Sequence, residues 1–126
     1  MRFCLDSWAV LRWLEDSEPA SSRVDELLES KPLMSWINLG EVYYVLLRNE
    51  GSDAAAGTIS DLRQELTLDL PSERRVIEAA TIKAAHAMSY ADAFAVATAL
   101  AHSATLVTGD PEILNAGEGW PVEDVR

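Results

Sequence analysis

Thr105-Leu106-Val107-Thr108-Gly109-Asp110-Pro111 reads as a β-branched strand that runs into a glycine, an acid and a proline placed to open a helix. Arg2-Phe3-Cys4-Leu5-Asp6-Ser7 has the same order: a short apolar run, an acid, then a new rhythm. Residues 7–16 carry that rhythm as a helix, with Val10, Trp13 and Leu14 on one side and Arg12, Glu15 and Asp16 outside. A buried strand followed at once by a helix is the repeating unit of a parallel sheet, because parallel strands need a crossover between them.

The segments between these two fit the same scheme. Pro19 is placed to begin a second helix, Val24, Leu27 and Leu28 give it an apolar stripe, and Pro32 stops it. Residues 33–36 then read as a second buried strand. Asn38-Leu39-Gly40-Glu41 has the pattern of a capped helix start, and the helix continues through Arg48 to a stop at Asn49-Glu50-Gly51. Ser52 or Asp53 caps another helix, to about residue 65. Residues 66–70 alternate as a strand. Pro71-Ser72 opens a helix to about residue 87, with Val76, Ile77 and Ala80 expected inside. Ser89-Tyr90-Ala91-Asp92 is a further capping box, leading into a helix over residues 93–101 whose small side chains suit close packing on a sheet. After the strand at 105–108, a short helix from Pro111 is ended by Gly117 and Gly119, and residues 120–125 suit an edge strand. Strands alternating with helices imply right-handed crossovers and a mostly parallel sheet. The expected fold is a three-layer α/β domain, a single domain over residues 1–126. Its ligands are expected beyond the carboxyl ends of the strands.

Composition narrows the class. Hydrophobic residues are 48% and charged residues 25%, which is ordinary for a globular domain and argues against disorder. No apolar stretch approaches the ~20 residues of a membrane span. Asp6 interrupts the place where an export signal would keep its apolar run, and Cys4 has no partner for a disulfide, so the expected location is the cytoplasm. Cys4, His86 and His102 read as core or surface residues rather than ligands. The charge is less ordinary. Ten Lys and Arg stand against 21 Asp and Glu, giving −11. That argues against a protein that coats nucleic acid, and permits a metal site or a basic partner.

Four of the acids stand out by position. Asp6 follows the first strand and Asp110 the fourth, while Glu41 is read in the first turn of the helix after the second. Asp92 opens a helix that must run back antiparallel before the fourth strand, so it starts at the same sheet edge. Carboxylates gathered without His or Cys suit a hard divalent cation such as Mg²⁺ or Mn²⁺. Bound ions would offset their repulsion, activate a water and steady a leaving oxygen in phosphodiester hydrolysis. Ser7 and Thr108, beside Asp6 and Asp110, are placed to donate hydrogen bonds to them. Taken singly, each acid reads first as a helix cap, Asp6 and Asp110 as N-caps, Glu41 and Asp92 as third residues of capping boxes; their joint position at one sheet edge is what favours a site.

The segments Phe3-Cys4-Leu5-Asp6-Ser7, Asn38-Leu39-Gly40-Glu41-Val42, Ser89-Tyr90-Ala91-Asp92-Ala93-Phe94 and Leu106-Val107-Thr108-Gly109-Asp110-Pro111 together resemble the PIN-domain nucleases. Among these, the chain resembles the small VapC toxins of bacterial toxin–antitoxin pairs, over essentially its whole length. The Tyr-Ala-Asp-Ala-Phe and Thr-Gly-Asp segments are the most specific. The resemblance implies about five strands and Mg²⁺- or Mn²⁺-dependent endoribonuclease activity on RNA. It places the family's first three acids on Asp6, Glu41 and Asp92 and the most variable fourth on Asp110. It also implies a hydroxyl role at Ser7, a VapB-like antitoxin across the site, and a homodimer. Trp8 departs from the pattern, being bulkier than expected beside the site. Tyr43-Tyr44 and Trp8/Trp13 are either an antitoxin groove or core.

RNA is a polyanion, and the chain is acidic. Bound cations and screening reduce the conflict, and Arg12 or Arg48 is placed to meet a phosphate or simply to face solvent. The acidity also suits a basic antitoxin arm. Other readings stay open: a PIN nuclease in RNA processing, or an inactive PIN-like module that binds a protein and uses its acids as caps. A carboxylate-nucleophile phosphatase would want an acid at position 8, where Trp8 stands. A receiver would want a lysine beyond a late strand, and none follows Lys83.

Overall fold

The computed structural model describes residues 1–116 and 119–126, so the expected stop at Gly117 lies outside the described residues. In order, the elements are β1 (Phe3–Leu5), α1 (Ser7–Leu14), α2 (Ala20–Leu28), β2 (Leu33–Ser35), α3 (Trp36–Glu50) and α4 (Ser52–Glu65). There follow β3 (Thr67–Asp69), α5 (Glu73–Ala85), α6 (Tyr90–Ala101), β4 (Thr105–Thr108), α7 (Pro111–Leu114) and β5 (Val122–Asp124).

The five strands form one sheet in the order β3-β2-β1-β4-β5, and every pairing is parallel. The chain builds outward from β1 through β2 to β3, then returns to place β4 on β1's other side. The direction of winding therefore changes between β1 and β4, where helices leave to opposite faces and a crevice opens at the carboxyl edge. Asp6 and Asp110 follow those two strands.

Alternation along the strands divides the core in two. Leu5, Met34 and Val107 face one layer, with Val10 of α1, Val24 of α2, Leu39 and Val42 of α3 and Leu62 of α4. Cys4, Leu33 and Leu106 face the other, with Ala79 of α5, the α6 residues Ala93–Ala97 and Ala99, and Ile113 of α7. Full burial pushes the Cys4 thiol up to about 12, aided by the charge of Asp6, so it is an inert core group. Within α6, Ala93, Ala95, Ala97 and Ala99 are all buried. Small side chains let this helix touch β1, β2 and β4 beneath it and α5 beside it.

Two expectations change. The third helix begins at Trp36, not at Asn38, because Ser35 caps it by accepting from the Ile37 N–H at 3.2 Å. Glu41 therefore lies in the second turn. On α5, Val76 and Ile77 are exposed rather than inside, and Ala79 is the side chain the helix buries. His86 and His102 are the C-cap residues of α5 and α6. Among the described residues no helix is long and apolar enough to cross a membrane.

Candidate functional site

Asp6 is the N-cap of α1 and is almost fully buried. Its Oδ1 accepts the Ala9 N–H at 2.9 Å, and its Oδ2 accepts the Thr108 hydroxyl. The register Leu5↔Val107 sets Thr108 next to Asp6 across the strand pair. The Thr108 Oγ1 in turn accepts the Asp110 N–H at 3.0 Å, so one hydroxyl ties the two acids together. Asp110 caps α7 by accepting the Glu112 N–H at 2.9 Å.

Glu41 is held from a different side. Ser7 Oγ donates to its Oε1 at 2.9 Å, and Asn38 Nδ2 donates to the same oxygen at 3.1 Å. The expected hydroxyl partners are thus exchanged. Ser7 serves Glu41 rather than Asp6, because as the first residue of α1 it faces α3. Thr108 donates to Asp6 rather than to Asp110.

Asp92 sits at the third position of α6, where Ser89 Oγ accepts its backbone N–H at 3.1 Å. The capping box is only half formed. The Ser89 N–H goes to Glu112 Oε2 at 3.3 Å, not to Asp92. The Asp92 carboxylate therefore caps nothing, although it is 5% exposed. Asp92, Asp110 and Glu112 each bring a carboxylate oxygen within 4.8 Å of the others. Glu112 was not among the acids singled out in the sequence. The spacing Asp110-Pro111-Glu112 carried the signal, but an acid in a helix's first turn is so common that it reads as helix polarity.

Electrostatics bind the group into one site. Burial pushes the Asp6 carboxyl up to about 7; the charges of Asp110 and Glu41 add to this, while the Thr108 and Ala9 hydrogen bonds oppose it. Asp92 is also pushed up to about 7, first by burial, then by the charge of Asp110, a hydrogen bond with Glu112 and the charge of Asp6. Among the described residues no Lys, Arg or His forms an ion pair with Asp6, Glu41, Asp92 or Asp110. The donor set is oxygen only, crowded and uncompensated, which fits a hard divalent cation.

The neighbouring side chains are placed as follows. Trp8 lies so close to Gly109 that a Cβ there would overlap the indole ring. Arg12 stacks over Trp8 at 4.6 Å and pairs with Glu15 at 3.3 Å, one side chain removed from the acids. Arg48 stacks over Tyr44 at 5.1 Å on α3. Tyr43 and Tyr44 are exposed, whereas Trp8 and Trp13 pack on the core. Trp13 lines grooves between α1, α2 and α4, and the tyrosines do not.

The chain shares its fold with solved toxin–antitoxin proteins. The structure of VapBC2 from Rickettsia felis bound to a promoter DNA fragment superposes with a TM-score of 0.79, at 15% identity, covering 100% of both chains. DNA-bound VapBC from Salmonella typhimurium gives 0.78 at 18% identity, covering 98% of each chain. Mycobacterium tuberculosis VapC20, described as a sarcin-ricin loop cleaving toxin, gives 0.73 at 20% identity, covering 94% of this chain and 99% of that one. No curated protein matches the chain in sequence. The PIN domain model matches residues 3–119, nearly the whole chain and all four acids, and the chain therefore belongs to the PIN domain family.

Proposed function

We propose that this protein is a divalent-metal-dependent endoribonuclease and the toxin of a type II toxin–antitoxin pair. The observation that carries the reading is the convergence of Asp6, Glu41, Asp92 and Asp110 at the winding switch of the sheet without a compensating cation. Asp6 and Asp110 do cap helices, as an inactive module would require. Glu41 and Asp92 do not: Glu41 is half-buried and held by Ser7 and Asn38, and Asp92 is buried with no cap to serve, which a purely structural role leaves unexplained.

In this reading the four acids hold Mg²⁺ or Mn²⁺, which when bound supplies charge neutralisation and an activated water. The protein's part is positional. Thr108 fixes Asp6 against the Asp110 backbone, Ser7 fixes Glu41, and Glu112 leaves the Asp92 carboxylate uncommitted to its own helix. Arg12, held over Trp8, and Arg48 are the proposed contacts to RNA phosphates. The attacking water gives up a proton as its oxygen bonds to phosphorus, the bond to the leaving ribose oxygen breaks, and that oxygen takes up a proton.

The proposed partners are a VapB-like antitoxin and a second copy of the chain, in the cytoplasm. The folds of the VapBC complexes support the first. So do the acids around Trp13, where Asp16, Asp25, Asp61 and Glu65 border the grooves and suit a basic segment.

The test is cleavage of structured RNA by the purified protein with Mg²⁺, with Mn²⁺ and with chelator. Cleavage is expected to need the ion and to fall at least ~100-fold in Asp92→Asn, on the scale of losing a group that acts in the transition state. Full metal-dependent cleavage by that variant would overturn the assignment.

A further inference from the structure

Asn38 is fully buried in α3, and its amide lies between two acceptors. Nδ2 donates to Glu41 Oε1 at 3.1 Å and to the Ala91 carbonyl at 3.0 Å. A flipped amide would set its oxygen against a carboxylate and a carbonyl with no donor between, so the partners decide the orientation. Oδ1 is left buried without a partner among the described residues. An apolar side chain of similar size would avoid that unmet acceptor, so the asparagine is costly as packing. What its Nδ2 holds accounts for it.

Ser7 Oγ reaches the same oxygen, Glu41 Oε1, at 2.9 Å. Two donors from two helices therefore load one oxygen, while among the described residues none donates to Oε2. The Ala91 carbonyl belongs to the residue directly before Asp92. We propose that Asn38 is a positioning residue of the acidic site. With Ser7 it anchors Glu41 through Oε1, which would leave Oε2 free of protein donors to hold a divalent cation, and through Ala91 it fixes the spacing between Glu41 and the segment carrying Asp92. The inference rests on the metal-dependent reading above.

The experiment is a Mn²⁺ titration followed by calorimetry or by the spin resonance of free Mn²⁺, on wild type, Asn38→Leu, Glu41→Gln and the double variant. Each is first shown to be folded by its thermal transition. Asn38→Leu is expected to raise the Mn²⁺ dissociation constant about 10-fold, the range seen when a partner of a metal ligand is lost. In the Glu41→Gln background the same change is expected to move it less than about twofold, because the effect passes through Glu41. A general packing defect would weaken both backgrounds alike. Unchanged affinity in folded Asn38→Leu, or an equal loss in both backgrounds, overturns the proposal and leaves the metal reading standing. Wild type that binds no Mn²⁺ overturns the metal reading and this inference with it. If the leucine variant does not fold, Asn38→Ser, shorter and polar, carries the same expectations.

Discussion

At Asp92 the backbone N–H is satisfied by Ser89 while the carboxylate serves no cap, and burial holds its proton up to about pH 7. Asp6 is raised to about 7 as well, from an ordinary value of 3.8. The folded state binds these protons more tightly than the unfolded chain, so their stabilising contribution is complete below about pH 3.8 and is lost as pH rises through about 7. Urea unfolding of the metal-free protein is expected to show stability falling between about pH 4 and 7 and levelling off above, and Asp92→Asn is expected to flatten that slope. An unchanged slope in the variant would show that Asp92 is not raised. At this scale the sequence singles out four acids but not their partners. Asn38 read as a cap, yet Ser35 outcompeted it one turn earlier and freed its amide for Glu41 and Ala91. Ser7 and Thr108 were recognised as donors, but the acid each serves depends on strand register and helix facing, which neighbours in sequence do not encode.

The β4–α7 turn and helix α1 meet where the Trp8 indole covers Gly109. A side chain at residue 109 has no room, so Gly109→Ala is expected to cost about 1–3 kcal/mol in denaturant unfolding, the usual range for overpacking. Much of that loss should return in the double variant with Trp8→Ala. If the two changes destabilise additively, the contact does not govern this junction. The element boundaries that were readable had strong local chemistry: Asp6 before α1, Ser72 before α5, Ser89 before α6, and Asp110 with Pro111 before α7. The buried face of α5 was not readable. Its stripe holds Val76 and Ile77, but the helix turns Ala79 inward because α6, packed beside it, offers small residues that accept close approach. Partner shape outweighs hydrophobicity there.

Across the whole molecule, strand–helix alternation makes the parallel sheet legible, because each of the first four strands is followed by a helix. The strand order was less so. That β4 returns to the side of β1 opposite β2 is a tertiary choice, and it is what brings Asp110 to Asp6. Glu112 joined the group only through that folding. The net charge of −11 also acts at this scale. Association with a basic antitoxin segment is expected to weaken steeply as salt rises, measured by titration at ~50 and ~300 mM, since the distance over which exposed charges act shrinks with ionic strength. Salt-independent binding would count against the acidic grooves around Trp13 as its seat. A cation site and a set of caps respond differently at Asp6, because asparagine caps a helix about as well as aspartate. The direct measurement is thermal unfolding with and without Mn²⁺, on wild type and Asp6→Asn. Mn²⁺ is expected to raise the transition of wild type by mass action, and Asp6→Asn to lose most of that response while its metal-free form is equally or more stable. No response to Mn²⁺ in wild type, with the two proteins equally stable, would show that the four acids are not a cation site.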